Sequence, residues 1–598
     1  MKYIKIILIS FIFFTLKVNA YLEAPVDITK MDVYEINDAI DKGYLTYELL
    51  IKLYLERIDV YDKNYKAIIT INKNALEEAR KCDNEFRTNG RTNTLWCIPI
   101  IVKDNIDVKG MPTTAGSKAL SDSYPNEDAS VIKKLKSKGM IILAKANMSE
   151  FAFQSGSSVS YYGTVHNAYN LGYSSYGSSG GSAVSVASNY SLFALGTDTN
   201  SSVRAPAGAN GVIGFRPTLN LVETKGVLAY DITRDTVGPI TRTVKENMLL
   251  MSAITEKEYE VKEDSTLEGK NIVVIDQFLP SNTYGEIKTM FNDAVSKLKE
   301  KGANIIHLNN VYSSNYEYIG DSTMGGWTMC YAFNRYIKNT SSKIKSFYGL
   351  ASASTNTYSL WDNYNKCDVS INYIDTMENE KTGFRNHINS IINKYNVDAF
   401  IYPTNIGKTL KTSEAGSRGM SYKIAPVLGL PAVSIPLGFD STGLPYGIEF
   451  MGAKNSEDKL YEIIYEYEKI NSSYKLPKIA PPLYQVPRTV SDLRTLYETI
   501  LNDDGSLLNY LVLRGQKTEI EDFFRNYNTY TNKEEKAKEI YNATIKKINT
   551  FGHSYNEKTH TIERLFAIKM IKLIIYLAII YFLYRILNLF KKRKKSVK

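Results

Sequence analysis

The chain is poor in the residues that build metal centres and disulfide frameworks, with four cysteines and five histidines in 598 residues. Cys82, Cys97, Cys330 and Cys367 show no metal-ligand spacing, and His166, His307, His387, His553 and His560 form no cluster with them. No metal and no cofactor is therefore expected. The cysteines are read as one or two disulfides or as free buried thiols, with connectivity open. Neither Gly-x-x-x-x-Gly-Lys-Ser/Thr nor Gly-x-Gly-x-x-Gly occurs in the sequence, so the usual signatures of a phosphate-cradling loop are missing. No internal repeat is visible. Excess charge is also scarce outside one place: six of the ten net positive charges sit in the last eight residues. The main body carries an ordinary balance, so nucleic-acid binding is not supported.

What is present is a large apolar fraction, 44%, enough for a sizeable core. At the N-terminus, Lys2 and Lys5 precede an uncharged run from Ile6 to Leu16, then Val18-Asn19-Ala20. That pattern reads as a signal peptide over residues 1–20, with an uncleaved anchor as the competing reading. Near the C-terminus, Leu565 to Phe590 is apolar and is followed by the basic tail 591–598. A membrane helix over 565–590 with a cytoplasmic tail fits the positive-inside rule. An amphipathic helix lying on an anionic surface is the alternative. Together these ends put the body in the secretory pathway, membrane-anchored, with its main domain luminal or extracellular. The sequons at Asn189, Asn339, Asn471 and Asn542 fit that address with small weight.

Residues 30–95 read as mainly helical, with apolar spacings of three and four in Tyr34–Lys42 and Tyr47–Val60. Short buried strands are expected at residues 97–103, Ile141–Ala144, Asn271–Ile275, Ile305–Leu308, Asp398–Tyr402 and Ala432–Pro436. Helices are expected at Ile132–Lys138 and Ile287–Lys301. Alternation of the two gives an α/β body. Residues 154–183 are rich in Gly, Ser and Tyr; inside a compact enzyme such a stretch reads as a functional loop. Beyond Pro487 the pattern turns polar and helical, with no strand signal up to residue 560. The organisation expected is a main α/β domain at 25–485 and a helical extension at 486–560.

Three strings carry chemistry: Ile100-Ile-Val-Lys103-Asp104-Asn105, Tyr176-Gly-Ser178-Ser179-Gly180-Gly181-Ser182, and Gly196-Thr-Asp198-Thr199-Asn200-Ser201-Ser202-Val-Arg204. They resemble the amidase signature family. The resemblance extends through Ala144–Phe151, Gly211–Thr218, Gly238–Val244, Gly429–Pro436 and Gly443–Gly447, covering about residues 30–485. It implies the amidase signature fold, a mixed β-sheet core sandwiched between helices. It also implies amide hydrolysis through an acyl-enzyme. Carried over by position, Ser202 is the family's nucleophile and Ser178 its relay serine, which follows a cis peptide. Lys103 is its base. The interval from Ser178 to Ser202 is the one the family keeps.

These residue types suit the chemistry. A serine hydroxyl needs a base, and lysine serves as one only where burial disfavours its charged form. Lys103 ends an apolar run, which places it at a buried strand end. The oxyanion hole implied is the backbone of Thr199, Asn200, Ser201 and Ser202. The family commonly has Gly-Gly where this chain has Asn200-Ser201. If position 201 needs positive φ, a serine there is strained. That departure keeps open a rival, a catalytically inactive membrane-tethered binding protein. Asp198 and Arg204 are read as a buried structural pair, and His166 as a loop residue. The partners expected are a small-molecule amide and the membrane; a homodimer is compatible with the sequence.

Overall fold

The computed structural model describes residues 22–23, 25–262, 264–312, 326–353, 360–364, 367, 372–414, 424–471, 474–502, 513–550, 553–564 and 575–585. The segment expected as signal peptide, the basic tail and most of the expected membrane helix lie outside them.

The described chain divides into two compact units. The larger, residues 31–34 and 47–481, is built on one mixed sheet of eleven strands flanked by helices. In chain order the strands are β1 Ile68–Ile71, β2 Pro99–Lys103, β3 Ile141–Ala146, β4 Phe193–Asp198, β5 Ile213–Arg216 and β6 Thr236–Thr241, followed by β7 Asn271–Ile275, β8 Asn304–Leu308, β9 Ala399–Pro403, β10 Ala432–Phe439 and β11 Pro445–Met451. Their order across the sheet is β8-β7-β9-β11-β10-β5-β6-β4-β2-β3-β1. β2 lies parallel to both β3 and β4, whereas β4 is antiparallel to β6. Every residue of β2, β3 and β4 is buried. Burial on both faces is why these segments read as continuous apolar runs rather than alternating ones.

The helices follow from spacing. In α1, Tyr47–Tyr65, the buried positions Tyr47, Leu50, Ile51, Tyr54, Ile58, Tyr61 and Tyr65 mark one stripe. α2 is Ala75–Asn89, α3 Ser130–Ser137 and α4 Gly180–Ala187. α5 is Arg204–Ala209 and α6 Val244–Thr255. The start of α6 is set by a capping box in which Thr243 and Glu246 satisfy each other's backbone amides. α7, Gly285–Glu300, buries Ile287, Phe291, Ala294 and Leu298 at spacings of four, three and four.

The smaller unit has a core of its own. Helices Arg488–Asn502, Arg514–Arg525 and Lys533–Thr550 bury Leu493, Leu496, Phe523, Phe524 and Ile540 among them. Tyr44 adds its ring edge to Phe524 at 4.7 Å. A strand pair, His553–Asn556 with Thr561–Arg564, follows the helices. It corrects the expectation of a wholly helical stretch to residue 560: polar residues fill this hairpin, so no apolar alternation announces it. Residues 575–585 form a helix whose large apolar side chains are all exposed, Ile575 at 54% and Tyr581 at 63%. Among the described residues no helix is long and apolar enough to cross a membrane.

All four cysteines are paired, Cys82 with Cys97 and Cys330 with Cys367, at Cα separations of 6.2 and 5.6 Å. The first ties α2 to the entry of β2. Two of the four sequons are unfit for modification in the folded chain. Asn189 is fully buried, and Asn471 donates its amide to the Pro436 and Leu437 carbonyls and the Tyr467 hydroxyl. Asn339 and Asn542 are exposed.

Peptide mapping without reductant is expected to recover both cystine-linked pairs. Replacing Cys82 and Cys97 together by serine frees a 15-residue loop in the unfolded chain. The expected loss is about 3 kcal/mol of unfolding free energy, read from the denaturant midpoint of the double variant.

Candidate active site

Strand register brings the first two motifs together. Ile100 and Val102 of β2 pair with Phe193 and Leu195 of β4, so Lys103 ends its strand beside residues 196–198. Open α/β sheets form their clefts at such carboxyl ends. Lys103 is fully buried. Its Nζ donates to Ser178 Oγ at 2.7 Å, to Thr197 Oγ1 at 2.7 Å and to the Thr197 carbonyl at 3.2 Å. Asn105 fixes that arrangement, giving its Nδ2 to Thr197 Oγ1 at 3.1 Å and to the Leu228 carbonyl at 3.2 Å. Burial pushes the Lys103 amine down to about 7, against the opposing attraction of Asp235 and Asp198. An amine so placed is substantially neutral near pH 7 and can take a proton.

The Gly/Ser stretch delivers Ser178 to this amine. The Gly177–Ser178 peptide is cis. The Ser178 carbonyl accepts from the Ser149 amide at 3.1 Å, anchoring the loop to the segment after β3. Gly180 and Gly181 then open α4, and neither has positive φ. Their smallness serves close approach. A β-carbon on Gly181 would stand 2.3 Å from the Asn147 carbonyl oxygen and 2.4 Å from that of Ala67.

Ser202 lies alongside. Its carbonyl accepts from the Ser179 amide at 3.1 Å, and the Ser179 hydroxyl donates to the Thr197 carbonyl at 3.2 Å. The loop leading to it is held by a buried charge network. Asp198 accepts from the Val203 amide at 3.0 Å, from Arg204 Nε at 3.3 Å and from Arg216 Nη1 at 3.0 Å. Arg204 reaches on to Glu449 and to the Asn200 carbonyl. Burial alone would raise the Asp198 carboxyl, but the two guanidiniums outweigh it and hold it at about 2. The pair foreseen as Asp198 with Arg204 is thus a four-member cluster. Arg216 and Glu449 escaped the sequence reading, although Arg216 sits in the motif segment Gly211–Thr218 and Glu449 lies two residues past Gly443–Gly447.

Among the described residues with positive φ, Asn200 and Ser201 do not occur. The loop therefore accommodates β-carbons at both positions, which removes the strain feared from the missing glycines. Thr199 and Asn200 are tied by their side chains: Thr199 Oγ1 donates to Asp235 Oδ1 at 2.5 Å, and Arg234 donates to Asn200 Oδ1 at 3.3 Å. Thr199, Ser201 and Ser202 are buried. His166 stands apart, its ring Nδ1 2.6 Å from the Leu171 carbonyl oxygen, as a loop residue should. A surface cavity of about 730 Å³ lined by Asp107, Lys225, Val227, Arg335 and Tyr336 includes none of Lys103, Ser178 or Ser202. It is not the place where these residues would meet a substrate.

With this geometry, the chain was compared with known proteins. The family model described as Amidase matches residues 49–461. A glutamyl-tRNA(Gln) amidotransferase subunit from Endomicrobium trichonymphae is 30% identical over 482 residues, covering 74% of this chain and 98% of that protein. The same subunit from Trichodesmium erythraeum is 32% identical, covering 70% and 94%. Among solved structures, the native peptide amidase from Stenotrophomonas maltophilia superposes with a TM-score of 0.67 at 26% identity, covering 76% of this chain and 99% of that one. An amidase family protein from Bacillus anthracis gives 0.66 at 28% identity, with 75% and 93% covered.

Replacing Asp198 by Asn would leave Arg216 and Arg204 buried with one carboxylate fewer. Breaking such a buried pair is expected to lower stability by about 3–5 kcal/mol, measured by urea unfolding.

Proposed function

The chain belongs to the amidase family and is an amide-hydrolysing enzyme, and from that premise we propose that Ser202 is its nucleophile, Ser178 its proton relay and Lys103 its base. The observation that carries the assignment is the 2.7 Å contact between a desolvated Lys103 amine and Ser178 Oγ. Neutral Lys103 takes the Ser178 hydroxyl proton while Ser178 takes that of Ser202. Ser202 Oγ then attacks the amide carbonyl carbon. The carbonyl oxygen gains the negative charge, and the backbone N–H groups of 199–202 are the donors assigned to it. As the intermediate collapses, the C–N bond breaks. The proton returns through Ser178 to the departing nitrogen, leaving an ester on Ser202. Water attacks that ester by the same relay and releases the acid.

The inactive-scaffold alternative drew its support from Asn200-Ser201. Negative φ at both, and the side-chain tether on Asn200, take that support away. For the substrate we propose a small aliphatic or aromatic amide, a fatty-acid amide or the C-terminal amide of a peptide; likeness to a peptide amidase favours the last. Pairing of all four cysteines fits an oxidising compartment, the lumen of the secretory pathway or the cell exterior. Glutamyl-tRNA is absent there, so the task named for the amidotransferase subunits is not carried over. Attachment to a membrane is proposed through the exposed apolar helix 575–585 and its flanks. At eleven residues and about 16 Å the helix itself falls well short of a bilayer core of about 30 Å.

A serine-directed fluorophosphonate is expected to label the wild-type chain, and Ser202→Ala is expected to abolish labelling; equal labelling of both would sink the assignment. The labelling rate should rise with pH through about 7, because Lys103 is a base only after losing its proton. Lys103→Met should lose that rise. After carbonate washing of membranes, recovery of the full-length protein in the supernatant would contradict an inserted segment.

A further inference from the structure

Asp235 takes no part in the proton transfers above, yet it is buried beside them. It closes a tight turn, its amide and that of Arg234 both donating to the Asp231 carbonyl, at 2.8 and 3.0 Å. Its carboxylate is surrounded by donors. Oδ2 accepts from the Tyr230 and Asp231 amides at 2.7 and 3.0 Å, and Oδ1 accepts from the Thr199 hydroxyl at 2.5 Å. An ionised carboxylate accepts from all three at once, whereas a protonated one would have to reverse the Thr199 contact or give up an amide. The next residue, Thr236, pairs with Asp198 in register, so the turn and the loop 199–202 leave adjacent strand ends together. Arg234 grips Asn200 from the same turn, and Arg216 holds the Arg234 carbonyl at 2.7 Å. The turn therefore secures the first two residues of the loop by their side chains, and that of Asn200 is one the family's usual glycine would not possess.

We propose that Asp235 is a positioning residue for acyl transfer, fixing the oxyanion loop through Thr199 while its negative charge faces the Lys103 amine. The inference rests on the Ser202 reading and deepens it. The groups acting on Asp235 are Asp231 from its own turn and Tyr230 before it, Thr199 from the loop, Arg216 from β5 and Lys103 from β2, with Arg234 beside it in the chain. Burial, and then Asp231, push its carboxyl up to about 7, against the hydrogen bonds from Thr199, Asp231 and Tyr230. Lys103 titrates in the same range. The competent form carries neutral Lys103 and ionised Asp235, so two protons quench it as the pH falls below 7.

The test is the second-order rate constant of fluorophosphonate labelling against pH, with circular dichroism confirming the fold of each variant. The wild type should lose rate on its acid side with a limiting slope of two decades per pH unit. Asp235→Asn should show a slope of one, and at pH 8 should label on the order of 10- to 100-fold more slowly, less than the loss of a whole oxyanion donor. Thr199→Val should slow labelling at pH 8 similarly. The double variant should be no slower than the slower single one, because both changes break one contact. Wild-type rate and slope in Asp235→Asn would overturn the proposal, as would losses that multiply in the double variant. Should Asp235→Asn fail to fold, Thr199→Val decides alone, and an unchanged rate in it overturns the proposal. Absence of wild-type labelling would instead bring down the Ser202 reading itself.

Discussion

A primary amine held out of water without a carboxylate partner is the constraint on which the site depends. Two lysines of this sheet are fully buried one strand apart, Lys103 on β2 and Lys145 on β3. Lys145 has Asp104 at 3.3 Å, and such a pair offsets the desolvation of both charges. Lys103 has two hydroxyls and a carbonyl instead. Dipoles of that kind hold an amine in place but compensate poorly for an ammonium removed from water, so burial favours the neutral form. The partners thus decide which buried lysine stays a charged strut and which can shed its proton, as the base proposed for the site must. Thr197 and Asn105 hold the amine where its lone pair can meet Ser178.

The loop proposed to receive the nascent oxyanion is held by the opposite solution. Asp198, Arg204, Arg216 and Glu449 all remain inside the protein, and the acid and the guanidiniums are kept there by one another. Removal of a single member would leave a bare charge in a dry interior, which makes the cluster rigid as a unit. Rigidity at this point has a chemical use. Donors that are already aimed need no reorganisation when charge appears, and reorganisation is what water in the same position would require.

Much of this was legible in the residues and some was not, for identifiable reasons. Asn271–Ile275 stands as a strand with the bounds expected, because an apolar run between turn signals has few other fates. Lys103 was legible from its place after Ile-Ile-Val and from the motif around it. Asp235, Arg216 and Glu449 were not, since a buried charge looks in sequence like any solvated one, nor was Thr197, an uncharged residue whose contact with Lys103 only the register of β2 and β4 creates. The hairpin at 553–564 was hidden for a related reason: its strands are half-exposed and polar, so no core face writes a period of two into them. What Gly180 and Gly181 serve was not legible either, because a sequence reveals that a residue is small without revealing what lies against it.

Asn200 and Ser201 show how one requirement can be met by different means. Glycines before a nucleophile let a loop reach any backbone conformation, but that freedom must be lost again when the loop is fixed, and glycine loses the most. Here the backbone stays in the region open to every residue, and the side chains provide the fixing. Thr199 is held by Asp235, and Asn200 by Arg234 through its side chain and by Arg204 through its carbonyl. Fewer conformations are open to the unfolded loop, and more contacts define the folded one. On the proposed assignment, the departure from the family's usual glycines is then an alternative route to a preorganised anion site. It transfers dependence from the loop's own backbone to the turn at 231–235.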